Sequence, residues 1–148
     1  MSIEERRKTE SKVKSLKIAA RLDNLRQALS FVDTLLEEND CPVKAQMQID
    51  IALEEMFVNI AHYAYPEGTG DAEIAAAVSP DGIEITLSDS GIPYDPLAKP
   101  DPDVTLSAHE RAIGGLGIYM TKKLMDKLSY RYSDGKNILT IKKSFGVL

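Results

Sequence analysis

The stretch from Val43 to Tyr65 constrains the fold more than any other part of the chain. Cys41-Pro42 stands before it, where proline lacks the amide hydrogen to continue a helix and disfavours a helical residue ahead of it. Pro66, Gly68 and Gly70 close it. Between these breaks the residues read as one helix. Stepping about 100° per residue spreads Ile49, Leu53, Met56, Phe57, Val58, Ile60 and Ala61 around most of the circumference, which predicts burial on several sides. Gln48, Glu55, Asn59 and His62 nevertheless gather in a sector of about 60°. Buried polar groups without partners cost kcal/mol each, so this stripe must meet water, a ligand or partners of its own. A wetted groove satisfies that requirement as well as a binding site does.

The chain's 148 residues suit one domain, and 43% hydrophobic against 28% charged residues exclude a mostly disordered polymer. Eighteen basic and 23 acidic residues leave a formal charge of −5, so no global field draws the chain to a phosphate backbone or an anionic bilayer. Neither direct contact with nucleic acid nor a membrane is expected. Cys41 is the only cysteine, which rules out an internal disulfide, and no stretch approaches the roughly 18 apolar residues of a membrane span. A reducing cytoplasm is the expected location.

Residues 1–13 carry charges of both signs and read as a solvated lead-in to a domain over 14–148. Leu16, Ile18 and Ala20 then alternate with Ser15, Lys17 and Ala19, the period of a half-buried strand. Asp23 and Asn24 offer N-caps for an amphipathic helix to about Asn39, with Leu25, Leu29, Val32 and Leu36 at helical spacing. After the second helix come strands over 72–79 and 83–89, joined at Pro80-Asp81-Gly82. Ser90 to Ile113 lacks periodicity and reads as a long loop of the kind that often binds or covers ligands. A third helix runs from the Gly-Gly-Leu-Gly at 114–117 to about Leu128, and a hairpin about Asp134-Gly135 joins strands over 129–133 and 137–144. Paired strands with short turns, interrupted by helices in groups, predict an α+β fold, a two-layer α/β sandwich rather than a doubly wound parallel sheet.

Three constellations have chemical content. Glu55 and Asn59, four residues apart, project side by side: a carboxylate able to take a proton from a hydroxyl, and an amide oxygen able to meet a phosphate-bound magnesium ion. Asp89 ends a strand before Ser90-Gly91-Ile92-Pro93, where it would accept the exocyclic amino hydrogen of adenine; it would equally cap its own turn. Gly114, Gly115, Leu116 and Gly117 open a helix whose free amides and dipole suit phosphate, although neither a P-loop nor a dinucleotide fingerprint is present.

In this order, ExxxN, DxGxP, a proline-rich loop and GGLG resemble the GHKL (Bergerat) ATP-binding superfamily that gyrase and the histidine kinases share. Within it, the likeness is to the small bacterial anti-sigma factor serine/threonine kinases, over roughly residues 14–144. EEMFVNIAHYAYPEG resembles their N box, DSGIPYDP their first glycine box and IGGLGIYMTKKLMD their second. The resemblance implies a mixed, mainly antiparallel sheet with helices on one face, ATP and Mg2+ as cofactors, Asn59 on magnesium, Glu55 as general base and Asp89 on adenine. Gly91, Pro93, Gly114, Gly115, Leu116 and Gly117 would shape the nucleotide pocket. The implied partners are a sigma factor and a STAS-domain antagonist phosphorylated on serine or threonine, with a homodimer contact through the first strand and helix.

Two departures from the family pattern stand out. Arg111 is the candidate for a loop arginine reaching the terminal phosphate, yet Ala112 and Ile113 separate it from the glycines. Tyr63 stands four residues past the asparagine, where relatives often have histidine, and His62 comes one earlier. A kinase is therefore expected, with a nucleotide-dependent module that binds a regulator without phosphotransfer as the alternative.

Overall fold

The computed structural model describes residues 12–98 and 116–146. Strand β1 (Lys12–Ala19) leads through a 3-10 turn (Leu22–Asn24) into helices α1 (Leu25–Glu38) and α2 (Val43–Tyr63). Strands β2 (Asp71–Ser79) and β3 (Gly82–Asp89) follow, then a 3-10 turn at Pro96–Ala98, helix α3 (Leu116–Leu124) and strands β4 (Lys127–Ser133) and β5 (Lys136–Ser144). The five strands form one sheet in the order β1-β2-β3-β5-β4, every pairing antiparallel. Lys12 and Val13 pair with Val78 and Ala77, so the first strand takes in the last two residues of the expected lead-in.

One sheet face carries the core. Ile18, Ala72, Ile74, Ala76, Ile83, Ile85, Leu87, Leu139 and Ile141 are buried under the helices, while Glu73, Glu84 and Lys142 on the opposite face stay exposed. Helix α1 contributes Ala28, Val32, Leu35 and Leu36, and α2 contributes Ile49, Leu53, Met56, Phe57 and Ile60. Fully burying side chains of this size contributes about 1.5–3 kcal/mol each, which makes α2 the main clamp on the sheet. The even spread of apolar residues on α2 overstates its burial: Val43, Met47 and Ile51 in its first half are exposed.

Local chemistry sets the element ends. Asn24 does not cap α1; its side-chain amide donates back to Ala19 O at 2.9 Å and fastens the turn to β1. At the other end of α1, Asp40 has φ 55°, Asp40 N donates to Glu37 O and Cys41 N to Leu36 O, a Schellman closure built on aspartate instead of glycine. The Asp134-Gly135 turn has φ 54° and 76°, as a two-residue hairpin of type I′ requires. Helix α3 ends at Leu124, four residues short of the expected Leu128. Asp126 N pairs with Lys142 O and Lys143 Nζ caps Leu124 O, so the sheet claims the chain before the helical period is exhausted.

The α1–α2 seam holds an acidic pair. Asp33 and Asp50 each bury one Oδ1 where no other donor reaches it, and a hydrogen bond between the two carboxyls requires a proton. Burial, that hydrogen bond and the charges of Asp33, Glu37 and Glu54 push the Asp50 carboxyl up to about 8. Cys41 lies nearby with its thiol pushed up, first by burial and then by Asp50 and Asp33.

Candidate functional site

Helix α2 and the ends of β3 and β5 converge on a cavity of about 30 Å³. Asn59 and Asp89, 30 residues apart in sequence, both line it, with Met56, Ile60, Tyr63, Ala64, Leu87, Ile92, Tyr94, Pro96, Tyr130, Asn137 and Leu139. An apolar wall with a few convergent polar groups is the ordinary make-up of a ligand pocket. Its volume is that of a water site rather than a purine site, so the wall must part to admit a base. The Tyr63 and Tyr94 rings in that wall are stacked, centroids 5.3 Å apart and planes at 21°.

Asp89 is 7% exposed and fixed on one side only. Its Oδ1 accepts from Gly91 N at 2.9 Å and from Asn137 Nδ2 at 2.9 Å, which leaves Oδ2 as the oxygen able to accept from a ligand. Of the two alternatives in the sequence, the turn cap is made, through Oδ1, and it leaves Oδ2 outside that bond in a residue that lines the cavity. Gly91 has a packing reason for being glycine: a Cβ there would overlap the Ala64 carbonyl, and Ile92 N donates to that same oxygen at 2.9 Å. Its missing side chain lets the turn dock on the end of α2. Pro93 is exposed and outside the cavity lining, where Pro96 stands instead.

Glu55 does not line the cavity; it lies one turn before Asn59 and against the start of α3. A Cβ on Gly117 would overlap the Glu55 carboxylate, so this glycine makes the space the acid occupies. Gly117 is held in turn by Thr121, fully buried, whose hydroxyl donates to Gly117 O at 2.9 Å. Burial, and then the Glu54 charge, raise the Glu55 carboxyl above its ordinary range. The remaining stripe residues divide: Gln48 is half-buried and His62 is exposed at the helix end. Arg111, Gly114 and Gly115 lie outside the described residues, as does the side chain of Leu116.

Sequence reasoning missed three residues. Asn137 on β5 is 7% exposed and stands directly across from Asp89 in the β3–β5 ladder. A polar residue at the head of the apolar alternation Leu139, Ile141 was the signal available. Tyr130 on β4 donates its hydroxyl to Asn137 Oδ1. Burial pushes the Tyr130 phenol up, so it remains a donor through neutral pH. Tyr65 accepts from Ser90 N at 2.9 Å and donates to Asp71 O at 2.6 Å, tying the end of β3 to the segment after α2.

Helices over one face of an antiparallel sheet, with a cavity headed by the Asp89 carboxylate at the sheet's end, define the architecture of this domain. A family model described as the histidine kinase-like ATPase domain matches residues 18–143, and the chain belongs to that family. Among curated relatives, the serine-protein kinase RsbW of Bacillus cereus (strain AH187) is 30% identical over 96 residues, 62% of this chain and 60% of the relative. That of Bacillus thuringiensis subsp. konkukian (strain 97-27) matches to the same extent. The chain thus spans about three fifths of the length of these relatives. The crystal structure of the RsbU and RsbW domains of Rv1364c from Mycobacterium tuberculosis gives a TM-score of 0.60 at 17% identity, covering 88% of this chain and 32% of that one. The Acinetobacter baumannii histidine kinase AdeS gives 0.50 at 15% identity, covering 97% and 72%. At those identities the likeness is one of fold.

Proposed function

We propose that this chain binds Mg-ATP and transfers the terminal phosphate to a serine or threonine hydroxyl of a STAS-domain antagonist, as part of the control of a sigma factor. The observation that carries the reading is the shared cavity of Asn59 and Asp89 with Glu55 one turn away, packed into the space left by Gly117. The names of the RsbW relatives support the serine kinase class; the choice of partner rests on the resemblance of the motifs to the anti-sigma factor kinases.

The donor set suits the nucleotide. Asp89 Oδ2 offers one acceptor to the amino group of adenine, and the apolar wall with Tyr63 and Tyr94 suits the faces of the base. Among the described residues no three carboxylates, histidines or thiols converge on a metal position. Magnesium carried by the triphosphate needs few protein ligands, and the Asn59 amide oxygen would be one. Bound magnesium would neutralise charge developing on the phosphoryl oxygens. Glu55 is the residue to take the proton of the acceptor hydroxyl; a carboxyl raised by burial is better matched to that task than a solvated one. Phosphoryl transfer depends mainly on alignment, which is what the packing of α2 against α3 supplies.

Two measurements test this reading. Mg-ATP at about 100 times its dissociation constant should stabilise the fold by roughly 2.7 kcal/mol, a rise of several degrees in Tm. Glu55→Gln should keep that rise and lose transfer to the cognate antagonist by a factor of about 10² or more. No rise in Tm removes the nucleotide. A normal rise with no transfer by the unaltered chain leaves a nucleotide-dependent binding module, and an unchanged rate in Glu55→Gln removes the base.

A further inference from the structure

The side-chain amide of Asn137 has capacity for two donated and two accepted hydrogen bonds, and all four are made inside the protein. Its Nδ2 donates to Asp89 Oδ1 at 2.9 Å and to Ile92 O at 2.8 Å. Its Oδ1 accepts from Tyr94 N at 3.0 Å and from the Tyr130 hydroxyl. The orientation of the amide follows from chemistry: Tyr94 N–H can only donate, so it must meet the oxygen, and the NH2 group is left to face Asp89 and the Ile92 carbonyl. An amide so saturated has nothing left for a ligand. Its effect on one passes through Asp89, whose Oδ1 it occupies together with Gly91 N, and through Ile92 and Tyr94, which both line the cavity.

We propose that Asn137 is a positioning residue for base recognition, which locks one oxygen of Asp89 and the Ile92–Tyr94 turn in a fixed relation so that a single carboxylate oxygen, Oδ2, reads the base. This rests on the nucleotide reading above and adds to it the part of the protein that sets base selectivity. Occupying one oxygen matters because a freely turning carboxylate offers an acceptor in many directions, whereas a pinned one offers it in one. A site built around one acceptor penalises an analogue lacking the matching donor far more than a merely apolar pocket does.

The test compares the affinities of Mg-ATP and Mg-ITP, whose 6-oxo group presents an acceptor in place of the amino donor. The unaltered chain should prefer ATP by at least about tenfold. Asn137→Asp keeps the acceptor half of the network, for Tyr94 and Tyr130, and replaces the donor half by a second carboxylate facing Asp89. It should weaken ATP by about tenfold or more and bring the ATP-to-ITP ratio close to one. Asp89→Asn alone should turn the preference toward ITP: Gly91 N and Asn137 Nδ2 both need an acceptor at the Oδ1 position, so the new amide places its NH2 where Oδ2 stood and presents a donor to the base. A purely structural role for Asn137 would not move the ratio in Asn137→Asp. If Asn137→Asp fails to fold, as judged by far-UV circular dichroism, Tyr130→Phe decides: loss of one bond to the amide should lower the ratio two- to fivefold. An unchanged ratio in whichever of these variants folds overturns the role of Asn137. A wild-type chain indifferent to the base overturns the reading of Asp89, and this inference with it.

Discussion

At the scale of single residues, Glu55 shows how a fold tunes an acid. Its carboxyl is raised by burial first and by Glu54 second, and Glu54 is exposed. A base works only when ionised, so transfer should fall as pH drops through the Glu55 pKa, which lies above the ordinary glutamate value. Glu54→Gln removes the neighbouring charge that disfavours ionisation and should move the acid limb of the rate profile to lower pH, with the plateau rate unchanged. A limb that stays in place would mean Glu55 does not feel Glu54. Asn59 and Asp89 were legible because helical period and strand end are local facts. Asn137 was not, because its meaning comes from a strand register set across 48 residues.

The elements themselves are held by contacts of unequal kinds. Between α1 and α2 the packing is mainly apolar; Gln46 Nε2 donates to Glu37 Oε1 at 3.2 Å on the exposed side, and Asp33 and Asp50 meet further in, where the Asp50 carboxyl is pushed up to about 8. The sign follows directly. A carboxyl whose pKa rises on folding holds its proton more tightly when folded, so stability is greatest below the unfolded value and is lost as pH rises from about 4 toward 8. Asp50→Asn mimics the protonated form and supplies a permanent donor to Asp33. It should flatten that loss and stabilise the protein at pH 8 by about 1 kcal/mol, discounted for the solvent reaching the pair. Urea unfolding at pH 5 and pH 8 measures it; equal stabilities in the unaltered chain would refute the shared proton. The end of α3 teaches a related lesson about legibility. Leu124 and Leu128 keep helical spacing, yet Leu128 pairs with Ile141 in the sheet, since a ladder of backbone hydrogen bonds outweighs a weak local preference.

For the molecule as a whole, the strand and helix order was readable from periodicity and turn chemistry, and Asp134-Gly135 behaves as its dipeptide predicts. The sheet order was not: nothing local says that β5 lies between β3 and β4. That placement unites the ligand wall, because Asp89, Asn137 and Tyr130 come from three neighbouring strands. Amide exchange should therefore show Mg-ATP protecting residues 89–94 and 137–139 together, as one cooperative unit. Protection of one segment alone would mean the network does not act as a unit.

The position of β5 also carries a consequence for synthesis. A ribosome finishes α2 and β3 long before it reaches Asn137, so an emerging chain holds Asp89 without its anchor and without the strand that completes the sheet on that side. Competence to recognise a base would arrive only with the closing hairpin, and ligand capture would serve as a certificate that translation of this domain had run to its final strand.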